Sequence, residues 1–179
     1  ARLPDRRQNL LFSATFPPAV QSLAELLLRD PVRIHVETTA HTAPDIQQRS
    51  IAIDPERRTQ LLHHLIRHHG WERTLVFVAT KYATDHVAMK LQRLHIPAGA
   101  LHGELSQGTR SAALADFKAG RLKVLVATDI AARGIDITDL PAVVNFHLPR
   151  SAHDYLHRIG RTGRAGSSGV AVSFVSAAT

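Results

Sequence analysis

The chain has 179 residues, 44% hydrophobic, with 22 Lys and Arg against 15 Asp and Glu and a formal net charge of +7. That is enough for one α/β domain with a packed core and a piece of another, and the basic excess points to a polyanionic partner, nucleic acid first. The lack of cysteine excludes disulfides and thiolate metal centres and fits a cytoplasmic protein; no apolar run is long enough to span a bilayer, and the polar start, ARLPDRRQNL, is no secretory signal.

Strands and helices alternate along the chain. Residues 9–12, NLLF, read as a short buried strand, 17–29 as an amphipathic helix with Pro in its first turn, and 32–36, VRIHV, as a second strand. Residues 37–45 are small, polar and without apolar periodicity, and read as a linker. Beyond it the rhythm is regular. IQQRSIAI is a strand, and the helix that follows has Asp54 as N-cap, Pro55 at its first position and Gly70 as its stop. RTLVFVA is a buried strand before a helix over 81–95, AGALH a strand before a helix opened by Ser106, and KVLVAT a strand before a short helical turn. AVVNFHL, a helix capped by Ser151, and GVAVSFVS complete the pattern. Apolar strands alternating with helices predict an α/β fold, a mostly parallel sheet with helices on both faces. Ligands of such sheets bind at the carboxyl ends of the strands.

Four stretches fall at those ends. HRIGRTGRAG, residues 157–166, sets Arg158, Arg161 and Arg164 three apart among glycines. Forked guanidinium donors suit phosphate oxygens, and Gly160, Gly163 and Gly166 allow tight backbone turns. The competing reading is a basic helix terminus that complements its dipole. In VATDIAARGIDI, residues 126–137, Thr128 and the N–H groups after it can hold a phosphate, Asp136 can accept from a ribose hydroxyl, Gly134 allows close approach, and Asp129 reads as a cap of the short helix. In LHGELSQGTR, residues 101–110, Gly103 lies in the loop, and Gln107 and Arg110 share one face of the first helical turn. In LVFVATK, Thr80 and Lys81 end a strand.

Together these motifs resemble the C-terminal RecA-like domain of DEAD-box RNA helicases, with SAT at residues 13–15 similar to the motif that ends the family's N-terminal domain. The resemblance implies three parts: a remnant of the N-terminal RecA-like domain over 1–36, an interdomain linker over 37–45 and the C-terminal helicase domain over 46–179. It implies that Arg161 and Arg164 face the ATP γ-phosphate as arginine fingers. Gly134 and Asp136 would meet the nucleotide ribose, with Arg133 supporting the interdomain site. Thr80, Lys81, Gly103, Gln107, Arg110 and Thr128 would contact the RNA backbone. Ser13, Thr15 and His157 would couple ATP state to strand separation. ATP and Mg²⁺ are the implied cofactors, RNA and the chain's own N-terminal domain the implied partners. Neither G-x-x-x-x-G-K-[ST] nor D-E-A-D occurs. The family's phosphate-holding and Mg²⁺-holding motifs are thus expected in an N-terminal part beyond this chain, which by itself should not hydrolyse ATP.

Two departures from the family stand out: Glu104 replaces a usual Asp, and His147 a common Asp, exchanging a fixed charge for a titratable ring. The twelve histidines, with His64 and His68 four apart, read as a solvated face rather than a metal site. Trp71 reads as a packing residue. Two rival functions are a stand-alone RNA- or protein-binding module that retains a motor fold, and a DNA helicase of the same superfamily.

Overall fold

The computed structural model describes residues 4, 6–13, 16–35, 45–163 and 168–176. The chain divides into two compact units, Ala1–His41 and Thr42–Thr179. Among its described residues the first contains one helix, α1 (Pro18–Leu27), with Pro18 at its first position. The strands expected at 9–12 and 32–36 are not formed in the described residues. Leu10, Phe12, Val32 and Ile34 are exposed instead. A strand needs a neighbour to receive its backbone groups and apolar side chains, and no described residue of this unit supplies one. Val36, Thr15 and residues 37–44 of the expected linker lie outside the described residues.

The second unit is built on a six-stranded sheet. In chain order come β1 (Ile46–Ala52), a 3₁₀ turn over Pro55–Arg57, α2 (Arg58–His69), β2 (Thr74–Phe77), α3 (Lys81–Arg93), β3 (Ala98–Leu101), α4 (Gln107–Lys118), β4 (Val124–Ala127), α5 (Asp129–Ala132), β5 (Ala142–Asn145), α6 (Ala152–Ile159) and β6 (Gly169–Val175). The strand order is β1-β6-β5-β2-β4-β3, and every pairing is parallel. β2, β4 and β5 are fully buried, as strands covered on both faces must be. β1, at one edge, shows exposed positions along Gln47–Ser50, a polar border that discourages pairing with another chain.

Strand alternation sorts the apolar side chains into two layers. Val76, Val78, Val124, Val126, Ala142, Val144, Val172 and Phe174 pack with α2 and α3 through Leu62, Ile66, Val87 and Leu91. Trp71 is buried in this layer, as its reading required. Leu75, Phe77, Leu101, Leu125, Ala127 and Val143 face the other way, onto Phe117 of α4 and Ala131 and Ala132 of α5. The helices leaving the adjacent strands β2 and β4 therefore lie on opposite faces. That divergence opens a crevice at the carboxyl ends, where α/β sheets bind ligands.

Ser106 and Ser151 cap as the sequence predicted, but Asp54 does not: it precedes a 3₁₀ turn over Pro55–Arg57 without a side-chain bond to it, and α2 itself begins at Arg58. Thr80, Ser106 and Ser151 accept backbone N–H bonds from Ala83, Thr109 and Asp154, and Gly70, left-handed at φ +62°, closes α2. Of the glycines in the 157–166 stretch, Gly160 has φ −65°, a conformation open to any residue. Gly163 has φ +64°, and a Cβ there would stand 2.5 Å from Ile46 Cγ1 and 2.9 Å from the Asp45 carbonyl. It is the close approach of this loop to the start of β1 that calls for glycine.

Candidate functional site

Arg158 joins the carboxyl ends of the three central strands. Its side chain is 3% exposed. Its Nε and Nη2 donate to the two oxygens of Asp129, just after β4, at 2.6 and 2.8 Å. Nη1 donates to Asn145 Oδ1 at the end of β5 and to the His147 carbonyl, at 3.0 and 2.7 Å. The guanidinium carbon lies 5.0 Å from the ring centre of Phe77, the last residue of β2. This corrects two readings of the sequence. Arg158 belongs to the core network rather than to a row of phosphate-facing arginines. Thr128, not Asp129, holds the N-cap position of α5, and the Asp129 carboxylate is committed to Arg158. A forked guanidinium can donate to both carboxylate oxygens and two further acceptors at once, four bonds where lysine has only three donors.

Around this anchor a recess is lined by Phe77, Asp129, Ala132, Arg133, Asp154, His157, Arg158 and Arg161. Three predicted site residues, Arg133, His157 and Arg161, meet there. Arg161 Nη1 donates to the Ile135 carbonyl at 3.1 Å, and the Leu140 N–H donates to the Arg161 carbonyl at 3.1 Å. The loop after α6 is thus tied to the Gly134–Asp136 loop, 26 residues away in sequence. Gly134 has φ +71°. Asp136 is 91% exposed and accepts from Lys118 at 3.0 Å. Arg133 pairs with Asp154 at 3.2 Å, whose carboxyl is held below its usual range first by the Ser151 hydroxyl and then by Arg133. Arg164 and Gly166 lie outside the described residues, as does Thr15, while Ser13 lies exposed in the first unit.

The residues expected on the RNA track gather at the ends of β2, β3 and β4. Thr80 caps α3. Lys81 Nζ donates to Glu104 Oε1 at 2.5 Å, joining the β2–α3 and β3–α4 loops, and this ammonium holds the Glu104 carboxyl below its usual range. Buried His102 fixes the Gly103 loop, its Nδ1 accepting the Glu104 N–H and its Nε2 meeting Asp85 at 3.2 Å. Gln107 and Arg110 touch on the first turn of α4, at 3.4 Å. The Thr128 N–H donates to the Leu101 carbonyl at 3.3 Å.

His147 sits just past the end of β5. Its Nδ1 accepts the Ala79 N–H at 3.1 Å, which fixes the neutral ring with its proton on Nε2. Burial, then the charges of Arg58 and Arg158, lower its pKa. The folded chain therefore keeps the ring neutral where the unfolded chain protonates it, below about pH 6.5. Stability from this site is complete above that value and is lost as pH falls toward the lowered folded pKa. An asparagine side chain at this position would accept the same bond without titrating. Urea unfolding from pH 8 to 5 should show the wild type losing more stability on acidification than His147→Asn; parallel profiles would contradict this.

Sequence reasoning missed the Arg158 network. Its signal lay in α6, where Arg158 and Ile159 are the buried residues, so the arginine shares the inward face with an isoleucine.

A family model described as the helicase conserved C-terminal domain matches residues 57–166. The DEAD-box ATP-dependent RNA helicase CshA of Geobacillus kaustophilus is 41% identical over 175 residues, 98% of this chain and 38% of its own length. The DEAD-box ATP-dependent RNA helicase RhpA of Helicobacter pylori (strain B128) is 40% identical over 173 residues, 97% of this chain and 35% of its own length. The structure of S. cerevisiae Dbp5 bound to RNA and ADP BeF3 is similar with a TM-score of 0.80 at 36% identity, over 97% of this chain and 46% of that one. The chain thus spans less than two-fifths of the length of these two curated relatives.

Proposed function

Because the chain belongs to the helicase conserved C-terminal domain family and aligns over nearly its whole length with DEAD-box RNA helicases, we propose that it is the C-terminal RecA-like half of an ATP-dependent RNA helicase. The observation that carries this reading is the bond from Arg161 to Ile135. It gathers an arginine and the Gly134–Asp136 loop at the carboxyl edge of the sheet, a half-site for a nucleoside polyphosphate.

In this reading Arg161 and Arg164 stabilise charge on the transferring γ-phosphoryl group, where fixed donors act most strongly. Gly134 and Asp136 receive the ribose, whose hydroxyl takes the place of Lys118 on Asp136, and Arg133 supports the facing domain. Thr80, Lys81, Gly103, Gln107, Arg110 and Thr128 follow one RNA strand along its backbone. Such contacts tolerate any base sequence. Ser13, Thr15 and His157 link the nucleotide site to strand separation, and closure of two RecA-like domains on ATP and RNA opens a short duplex. Residues 1–36 then belong to the N-terminal domain, 37–45 to the linker and 46–179 to the C-terminal domain.

Because neither G-x-x-x-x-G-K-[ST] nor D-E-A-D occurs in this chain, the reading assigns Mg²⁺ and the P-loop lysine to the N-terminal domain, and predicts RNA binding without ATP turnover by this chain alone. No helix among the described residues is long and apolar enough to cross a membrane, and a cytoplasmic location suits the cysteine-free sequence.

The salt dependence of RNA binding tests the track. Affinity for a single-stranded RNA should fall steeply with salt, and Arg110→Ala should reduce the slope of log K against log[salt] by about 0.7, one phosphate contact. An unchanged slope would remove Arg110 from the backbone site, and salt-independent binding would remove the track.

A further inference from the structure

His153 and His157 stand one turn apart on α6, both exposed. Their rings are 4.2 Å apart between centres and inclined at 54°, and their Nε2 atoms approach to 3.0 Å. At that distance one Nε2 donates to the other, in whichever tautomers the two rings adopt. Neutral rings that carry their protons on Nδ1 leave both Nε2 atoms as donors to a metal ion, one turn apart on the solvent side of the helix.

We propose that His153 and His157 form a two-histidine chelate for a divalent transition-metal ion, copper or nickel in preference to zinc. The geometry carries the preference. With metal–nitrogen bonds of about 2.05 Å, nitrogens 3.0 Å apart subtend about 95° at the metal. That is close to the right angle of square-planar and octahedral centres and narrower than the tetrahedral angle zinc adopts. The order of divalent-metal affinities for nitrogen ligands favours copper as well. The protein offers two ligands, and water completes the shell, since no larger ligand group exists among the described residues.

The helix presents the pair rigidly. Ser151 caps its start, and one residue beyond His157 the Arg158–Asp129 fork fixes its end. Charge limits affinity: Arg133, Arg158 and Arg161 line the adjoining recess against Asp129 and Asp154, leaving a net positive border. His64 and His68 are also four apart, but their rings stack nearly parallel, 5.5 Å apart at 14°, which makes them the internal control. A metal on this chelate would occupy His157, the coupling residue of the proposed motor; that consequence alone rests on the helicase reading.

The test titrates Cu²⁺ into the full 179-residue chain at constant pH, following affinity by calorimetry and nitrogen ligation by electron paramagnetic resonance. The wild type should show a first equivalent with two imidazole nitrogens. His153→Gln and His157→Gln should each weaken that equivalent more than about tenfold, since even a supporting partner is worth that much to a metal site, and each should leave one nitrogen. His64→Gln should leave it unchanged. Equal affinity and two-nitrogen spectra in both α6 variants would overturn the proposal, as would loss of the site in His64→Gln. In the full-length helicase, Ni²⁺ should slow RNA-stimulated hydrolysis in the wild type and not in His153→Gln. Metal bound with hydrolysis unaffected would overturn the coupling role of His157 and uphold the chelate.

Discussion

Arg158→Ala should destabilise the second unit by about 3 kcal/mol, near the lower end for breaking a buried ion pair. The substitution removes both donors to Asp129, the donor to Asn145 and a donor to the His147 carbonyl. The carboxylate left behind is 34% exposed, so water recovers part of its hydration and holds the loss below that of a fully buried charge. Asn145 loses more, because it is fully buried and its amide already donates to Ser173 Oγ at 3.1 Å. In a domain of this size the change corresponds to a fall of about 10 °C in melting temperature. The double variant Arg158→Met with Asp129→Asn should recover much of the loss, since it removes both charges and keeps an apolar stem over Phe77. Equal melting of wild type and Arg158→Ala would show that the network contributes nothing net.

This position also marks where the sequence was legible and where it was not. The starts of α4 and α6 were plain because capping is local: Ser106 and Ser151 each act within three residues of themselves, whereas Asp54 and Pro55 open a 3₁₀ turn rather than α2. The parallel sheet was plain because TLVF, VLVA and AVVN have no polar face to turn to water. The pairing of Arg158 with Asp129 spans 29 residues, and nothing in either local pattern names the other. Asp129 follows a strand and opens a helix, so it reads as a cap; Arg158 shares its motif with Arg161, so it reads as a phosphate ligand. Residues 9–12 and 32–35 fail for a related reason. Their apolar runs specify burial, but burial in a sheet depends on strands that must be supplied from elsewhere. The candidate site was legible as a set of loops at strand ends. Its internal bonds, Lys81 to Glu104 and Arg161 to Ile135, were not.

Arg164→Ala in the full-length helicase should lower the turnover number of RNA-stimulated ATP hydrolysis by about 10³ or more, the scale of an arginine finger, while RNA affinity stays within about twofold. The argument joins two links. Arg161, three residues earlier, is held at the Gly134–Asp136 loop through Ile135, and the motif's resemblance assigns Arg164 to the γ-phosphate. An interaction made chiefly in the transition state lowers kcat and kcat/KM together and leaves ground-state binding alone. Arg161→Ala should differ. It also releases the 134–136 loop, so the KM for ATP rises as turnover falls. Arg164→Lys separates charge from geometry: an ammonium keeps the positive charge but lacks the fork, and recovers only a minor part of the rate. Unchanged turnover in Arg164→Ala would take the phosphate-facing role from this arginine, and a chain that binds RNA through Arg110 and Lys81 without an ATP-facing arginine would be a binding module on a motor fold.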